Sequence, residues 1–378
     1  MLRRTDRSKL AQWVWTVDYV TLSLSLLLIG VGMIMVMAAS PPVAERINLS
    51  EYHFIIRQAI FAAPAVLVML VISMLSARAI RAISIIGLII FGCLMAATLI
   101  FSPEVKGATR WLSIGGFRLQ PSEFAKPFFA VVCAWLLGLW RESETFPGWA
   151  WASAIAGSLV ILLLLQPDVG MTALLLATWG FQIFLAGLPM ALVIVGVILV
   201  PIAMISAYFL IDHVQIRVDH FFNGTSMQVQ RSYQSFAEGG FNGVGPGNGA
   251  VKHNLPDAHA DFIFSVMAEE YGLITCLFVI LIYLAIVLRN FAKCYGAQDM
   301  FSILAISGLT VQFSLQTFIN MASSMSLIPT KGMTLPFISY GGSSLITSCI
   351  TIGLIVALTR SQSISFAPLP THADRRAS

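Results

Sequence analysis

Four segments of this chain hold most of the side chains that could do chemistry. The first runs KGATRWL (106–112) and then QPSEFAK (120–126), carrying Lys106, Arg110, Arg118, Glu123 and Lys126. Lys126 follows Glu123 by three residues, so the two can pair on one helical face; tryptophan and basic residues are also ordinary interfacial anchors. The second, QPDVG (166–170), offers Asp168 as a helix cap or as a carboxylate in a cavity wall. In the third, six glycines between Gly239 and Gly249 precede Lys252, His259 and Asp261. Such glycines let successive backbone amides cradle an anion, although a merely flexible loop has the same composition. Asp261 stands where a new helix should open, as an N-cap or a cavity carboxylate. Glu269 and Glu270 follow at a depth where carboxylates face a polar interior. At ~100° per residue only Glu269, about 80° around from Asp261, could share its cavity. The fourth, PTKGMTLPFISYGGSS (329–344), is an apolar, proline-bounded run with a single cation, Lys331.

The elements that must hold these segments are membrane helices. Of 378 residues, 57% are hydrophobic and 11% charged, and mean hydropathy is +0.84; a soluble domain would be about one quarter charged. A helix crossing the hydrocarbon needs ~20 apolar residues. Stretches 19–39, 58–76, 82–101, 122–140, 149–165, 262–288, 300–322 and 341–359 meet or approach that length. Stretch 169–211 has no charge and is long enough for two spans, with Gly187-Leu188-Pro189 as the hinge. The reading is therefore an all-α, polytopic bundle of about ten transmembrane helices forming a single membrane domain. The run 19–39 is too long for a signal-peptide core and reads as an uncleaved first span. Five scattered cysteines suggest neither a disulfide framework nor a metal site.

Basic residues fix the expected orientation. One face collects the tail 1–17, Arg78, Arg81, Arg141, Arg289, Lys293 and the tail 361–378, with twice as many basic as acidic residues. That face is expected to be cytoplasmic and to hold both termini. All four polar segments then lie outside, including a large extracytoplasmic connection, 212–260, between spans 7 and 8 whose length argues for function. The outside also keeps more cations than orientation favours.

On the motifs KGATRWL, QPSEFAK, QPDVG, LPDAHADFIFSVMAEEYG (255–272) and PTKGMTLPFISYGGSS, the chain resembles the SEDS family of bacterial cell-wall polymerases over about residues 17–360. Its Lys331-Gly-Met-Thr-Leu-Pro run is closer to the division branch than to the elongation branch. The resemblance implies a ten-span fold and a peptidoglycan glycosyltransferase that polymerises lipid II, a disaccharide-peptide on undecaprenyl diphosphate. It implies that Asp261, in the (T/A)DF sequence, is the essential carboxylate, and that Arg110 and Lys331 contact substrate. Lys126 and Lys252 are further candidates for the diphosphate, and Asp168, His259 and Glu269 complete the expected substrate-binding set. Such a transfer needs a base near the attacking hydroxyl and positive charge on the leaving diphosphate. A divalent ion, magnesium or manganese, with Asp261 as its ligand would serve the same chemistry, and the residues leave both roles open. Implied partners are lipid II, the nascent glycan strand, a class B penicillin-binding transpeptidase and other divisome membrane proteins, with no nucleic acid. The implied location is the bacterial cytoplasmic membrane at the septum. Two other readings compete: a lipid II flippase, which would need polar groups through the whole membrane depth, and a scaffold for a septal transpeptidase.

Overall fold

The structure, a computed structural model, describes residues 8–103, 109–114, 117–143, 145–210, 215–216, 218–219, 222–223, 226–297, 299–329 and 332–365. A short helix α1 (Lys9–Thr16) precedes α2 (Tyr19–Ala39), and α3 (Pro41–Arg46) follows it. Then come α4 (His53–Ser73), α5 (Ala77–Phe101), a hairpin of β1 (Leu112–Ile114) and β2 (Phe117–Leu119), α6 (Pro121–Glu142) and α7 (Gly148–Leu165). The chain continues through α8 (Val169–Leu185), α9 (Met190–Leu210), α10 (Met227–Gly239), α11 (Ile263–Tyr295), α12 (Met300–Ser324) and α13 (Gly342–Ser365). Helices α2, α4 to α9 and α11 to α13 correspond to the ten expected spans. Among the described residues, eight of these are long and apolar enough to cross a membrane, and α8 is a shorter apolar helix. α9 has 21 residues, and Gly187, at φ +94°, makes the turn between α8 and α9 at the expected hinge.

Two boundaries move for a physical reason. α4 starts at His53 rather than at 58, because Phe54 and Gln58 turn inward onto protein, where the Gln58 amide needs no apolar surroundings. α5 starts at Ala77 rather than at 82, with Ser76 Oγ capping Ala79 N–H, so Arg78 and Arg81 lie within the helix. α6 and α13 are buried along almost their whole length, whereas α4, α5 and α7 turn most of their side chains outward. The inward faces carry the polar groups and the outward faces carry Leu, Ile and Phe, as lipid demands.

A small hairpin accompanies the helices of this all-α fold. Its strands pair antiparallel, with Leu112 opposite Leu119 and Ser113 opposite Arg118. The connection 212–260 also holds more than a loop. α10 packs along α11 through Ser232, whose hydroxyl meets that of Ser265 at 2.6 Å. The following glycines reach Gly272, where α11 breaks at φ 77°, ψ 177°, a conformation open essentially to glycine. At the break the helix exchanges partners with the inserted segment. The carbonyls of Glu269 and Glu270 accept from Val244 N–H and Gly245 N–H (2.9 and 3.0 Å), while Leu273 N–H and Ile274 N–H donate to Gly240 and Phe241 (3.0 and 3.3 Å). These four bonds satisfy backbone groups that the break takes out of the helix, which is what permits irregular chain at this depth.

The opposite end of the bundle is tied by charge. Asp18 caps α2 and takes two hydrogen bonds of 2.9 Å from Arg289 Nε at the far end of α11. Burial alone would raise the Asp18 carboxyl, but the Arg289 guanidinium outweighs it and holds the group below the usual carboxylate range.

Candidate active site

Asp261 does not cap α11. That helix begins at Ile263 with Phe262 as its N-cap and no side-chain capping bond. Asp257 sits at φ +52°, and its carbonyl accepts from Ala260 N–H and Asp261 N–H, both at 3.0 Å. This turn leaves Asp261 partly exposed at the mouth of the bundle. The turn also removes the basis for placing Glu269 by helical angle, which assumes one helix through both residues. Glu269 instead accepts from Val251 N–H (2.6 Å) and Lys252 N–H (3.1 Å), beneath the glycine-rich segment. Lys252 is buried there too, its ammonium on the Glu270 carboxylate and 3.1 Å from the Ala38 carbonyl.

The segment after α12 closes over Asp261. Gly332 stands beside it at φ +60°, a conformation that favours glycine, and a Cβ built there would lie 3.4 Å from Asp261 Oδ2, an ordinary van der Waals contact. Lys331 lies outside the described residues; its neighbour Gly332 brings the PTKG motif beside the carboxylate. Asn320 Nδ2 donates to the carbonyls of Asp261 (3.0 Å) and Met333 (2.5 Å), joining the two segments. Ser339 Oγ donates to Ala260 O (2.5 Å), and Tyr340 N–H donates to His259 O (2.9 Å). The buried His259 ring lies 4.5 Å from Phe54 and 5.1 Å from Tyr340, centroid to centroid.

Arg110 and Asp168 are brought together, on a different neighbour. Arg110 Nε donates to Gln166 O (3.2 Å), Nη2 donates to Pro167 O, and Nη1 stands 3.4 Å from Asp168 Oδ2. Asp168 Oδ1 also accepts from Met171 N–H at 3.2 Å, the expected cap of α8. The guanidinium thus latches the segment before β1 to the turn between α7 and α8. Arg110→Met takes the guanidinium away from two carbonyls and from Asp168 Oδ2. It is expected to lower stability by about 1.5–3 kcal/mol, seen as a fall in the thermal unfolding midpoint in micelles. An unmoved midpoint would rule out the latch.

Lys126 pairs with Glu123 at 2.9 Å, as its spacing predicts, and also donates to Gln316 Oε1 at 2.8 Å. Gln316 Nε2 reaches Thr334 O at 3.2 Å, so this buried cluster is anchored to the segment beside Asp261. Gln312, Thr347, Ser348 and Thr351 line the small pocket around it. The α12 stripe of Gln312, Gln316 and Asn320 accordingly faces protein. Among the described residues no three His, Cys, Asp or Glu side chains gather into an all-protein metal site. A divalent ion at Asp261 would therefore draw its other ligands from diphosphate oxygens and water, an ordinary arrangement for magnesium.

Sequence reasoning passed over α4. Phe54, Arg57, Gln58 and Phe61 recur at i, i+3, i+4 and i+7, a single helical face. Gln58 accepts from Gly341 N–H and donates to Ser339 O, both at 3.4 Å. That spacing, with two polar residues at the end of an apolar run, was the available signal.

The family model described as "Cell cycle protein", which covers FtsW, RodA and SpoVE, matches residues 19–364. The chain belongs to this family, SEDS. Among its relatives, the probable peptidoglycan glycosyltransferase FtsW of Caulobacter vibrioides is 40% identical over 94% of this chain and 93% of its own length. That of Geobacter metallireducens is 34% identical over 90% and 93%. Among solved structures, a chain of a peptidoglycan synthase complex that coordinates polymerisation and crosslinking superposes with TM-score 0.77 at 25% identity, covering 92% of this chain and 98% of that one. RodA of Thermus thermophilus shares the SEDS fold, with TM-score 0.69 at 24% identity.

Proposed function

We propose that this chain is a peptidoglycan glycosyltransferase of the division type, polymerising lipid II into β-1,4 glycan strands at the outer face of the bacterial cytoplasmic membrane. The observation that carries the reading is the partly exposed Asp261 carboxylate at the bundle mouth, beside Gly332 of the PTKG segment. In the transfer, the 4-hydroxyl of one sugar attacks the anomeric carbon of another. The new glycosidic bond forms as the bond to the lipid diphosphate breaks, with inversion at that carbon. Asp261 takes the proton of the attacking hydroxyl, and cations offset the charge growing on the departing diphosphate. With a divalent ion on Asp261, that ion would supply Lewis acidity to the diphosphate. Lys331 is assigned to the diphosphate, and Arg110 acts by fixing the QPD turn.

The basic residues at the opposite end support a cytoplasmic location for both termini. Relatives named FtsW support a septal site of action, and the likeness to a chain of a synthase complex supports a transpeptidase partner. The purified chain in lipid vesicles, supplied with fluorescent lipid II, is expected to make strands that a muramidase degrades. Transfer of lipid II between leaflets with no polymer formed would replace this reading with transport.

A further inference from the structure

Three successive carbonyls at the mouth of the bundle are each held by a donor from elsewhere in the chain. His259 O accepts from Tyr340 N–H at 2.9 Å, Ala260 O from Ser339 Oγ at 2.5 Å, and Asp261 O from Asn320 Nδ2 at 3.0 Å. They need such donors, because α11 begins only at Ile263 and the positive φ at Asp257 turns the chain just before them. Two of the donors belong to the stretch between the PTKG segment and α13. The third comes from α12, where Asn320 is fully buried.

Asn320 differs from the other two in bonding both sides of the mouth. Its second Nδ2 hydrogen goes to Met333 O at 2.5 Å. Met333 follows Gly332, which stands beside the Asp261 carboxylate. One nitrogen therefore fixes the separation of the Asp261 peptide from the PTKG segment. Two carbonyl acceptors also settle which end of the carboxamide faces them, since only its nitrogen carries hydrogens. One turn back on the same helix face, Gln316 Nε2 holds the next carbonyl, Thr334 O, at 3.2 Å. α12 thus grips the PTKG segment at two consecutive residues, and through Asn320 it grips the Asp261 segment as well. A leucine would fill the same space; what it could not supply is the two hydrogens.

A general base works only within hydrogen-bond reach of the hydroxyl it deprotonates. A displacement near 1 Å at a reacting centre costs about 10²-fold in rate. We propose that Asn320 is a positioning residue for the transfer: its carboxamide clamps the Asp261 and PTKG segments together and so holds the carboxylate in reach of the attacking hydroxyl. The proposal rests on the glycosyltransferase reading, in which Asp261 is the base.

The test uses the full-length chain in nanodiscs supplied with lipid II. Initial strand synthesis is counted per lipid II bound, so that protein unable to fold drops out of the rate. Asn320→Leu keeps the volume and removes both hydrogens. It is expected to lower this rate by about 10- to 100-fold, while lipid II affinity stays within about threefold. Asn320→Asp keeps the shape but carries at most one hydrogen, so at least one of the two bonds is lost. A fall of at least about threefold is expected there. In an Asp261→Asn background, Asn320→Leu should change the residual rate by less than about twofold, since the clamp then has no base to position. The same fold-loss in both backgrounds would mean a role in general packing and overturns the proposal. Wild-type rates per bound lipid II in both Asn320 variants overturn it too. Should Asn320→Leu not fold, Asn320→Asp decides, and an unchanged rate in that variant is enough to reject the clamp. Strand synthesis at the wild-type rate by Asp261→Asn alone is a different outcome: it sinks the catalytic reading and removes the clamp's purpose with it.

Discussion

Asp261→Asn is expected to cut strand synthesis by ~10²–10⁴-fold, the usual contribution of a positioned proton acceptor. Three features of the site make this substitution clean. The side chain is partly exposed at the mouth, so the change deletes a charge without opening a cavity. The change leaves the backbone bonds of the residue in place: Asn320 holds the Asp261 carbonyl, and Asp257 O accepts the Asp261 N–H. Gly332 leaves room beside Oδ2, so an amide of the same shape fits. The thermal midpoint should therefore stay within a degree or two, and lipid II should still bind. Rate constants at saturating lipid II carry the result, since loss of a proton acceptor acts on kcat. A variant that makes strands within a few-fold of the wild-type rate would remove Asp261 from the chemistry. Asp261→Glu adds a further reading, because a longer carboxylate keeps the charge but meets the Gly332 backbone. It is expected to retain more activity than the amide does.

The parts of this architecture that hydropathy controls were legible in advance. A span is announced by its length of apolar residues, and Gly187-Leu188-Pro189 had to interrupt a charge-free run too long for one crossing. The Glu123–Lys126 pair followed from helical spacing alone. The site was legible as a set of segments but not as a set of contacts. Nothing local to Arg110 says that its guanidinium will be taken up by the carbonyls of Gln166 and Pro167, because those acceptors lie 56 and 57 residues away. Gln58 sits at the edge of an apolar run and looks like an interfacial residue until α13 is packed against α4. The angle between Asp261 and Glu269 misled because it assumed a helix through residue 261, where a positive φ at Asp257 makes a turn. α10 was hidden differently. Its sequence is too polar to read as a membrane element, and its packing stripe of Ser232, Ser235 and Gly239 consists of small residues that carry no hydropathy signal.

The second large effect is expected at the buried ion pair behind that helix. Lys252 and Glu270 are each almost wholly inaccessible, and the ammonium also holds the Ala38 and Gly247 carbonyls. Gly247 N–H in turn donates to Glu270 Oε2 at 3.0 Å. These bonds fasten the inserted glycine segment against α11 where Gly272 breaks it, and they tie that segment to the end of α2. Lys252→Met keeps the volume but strands a carboxylate in a medium with little water to solvate it. Breaking a buried pair from one side costs about 3–5 kcal/mol. The variant should therefore unfold at a clearly lower temperature in micelles, with protease cutting first within 239–249. Glu270→Gln alone leaves the cation with the Ala38 and Gly247 carbonyls, so its cost should be smaller. The double variant Lys252→Met/Glu270→Gln should regain much of the stability that Lys252→Met loses, because no charge is then left unpaired. Recovery in the double variant would identify charge pairing, rather than side-chain packing, as what holds the glycine segment in the broken helix. A Lys252→Met protein as stable as wild type would mean that the backbone exchange at Gly272 suffices without the pair.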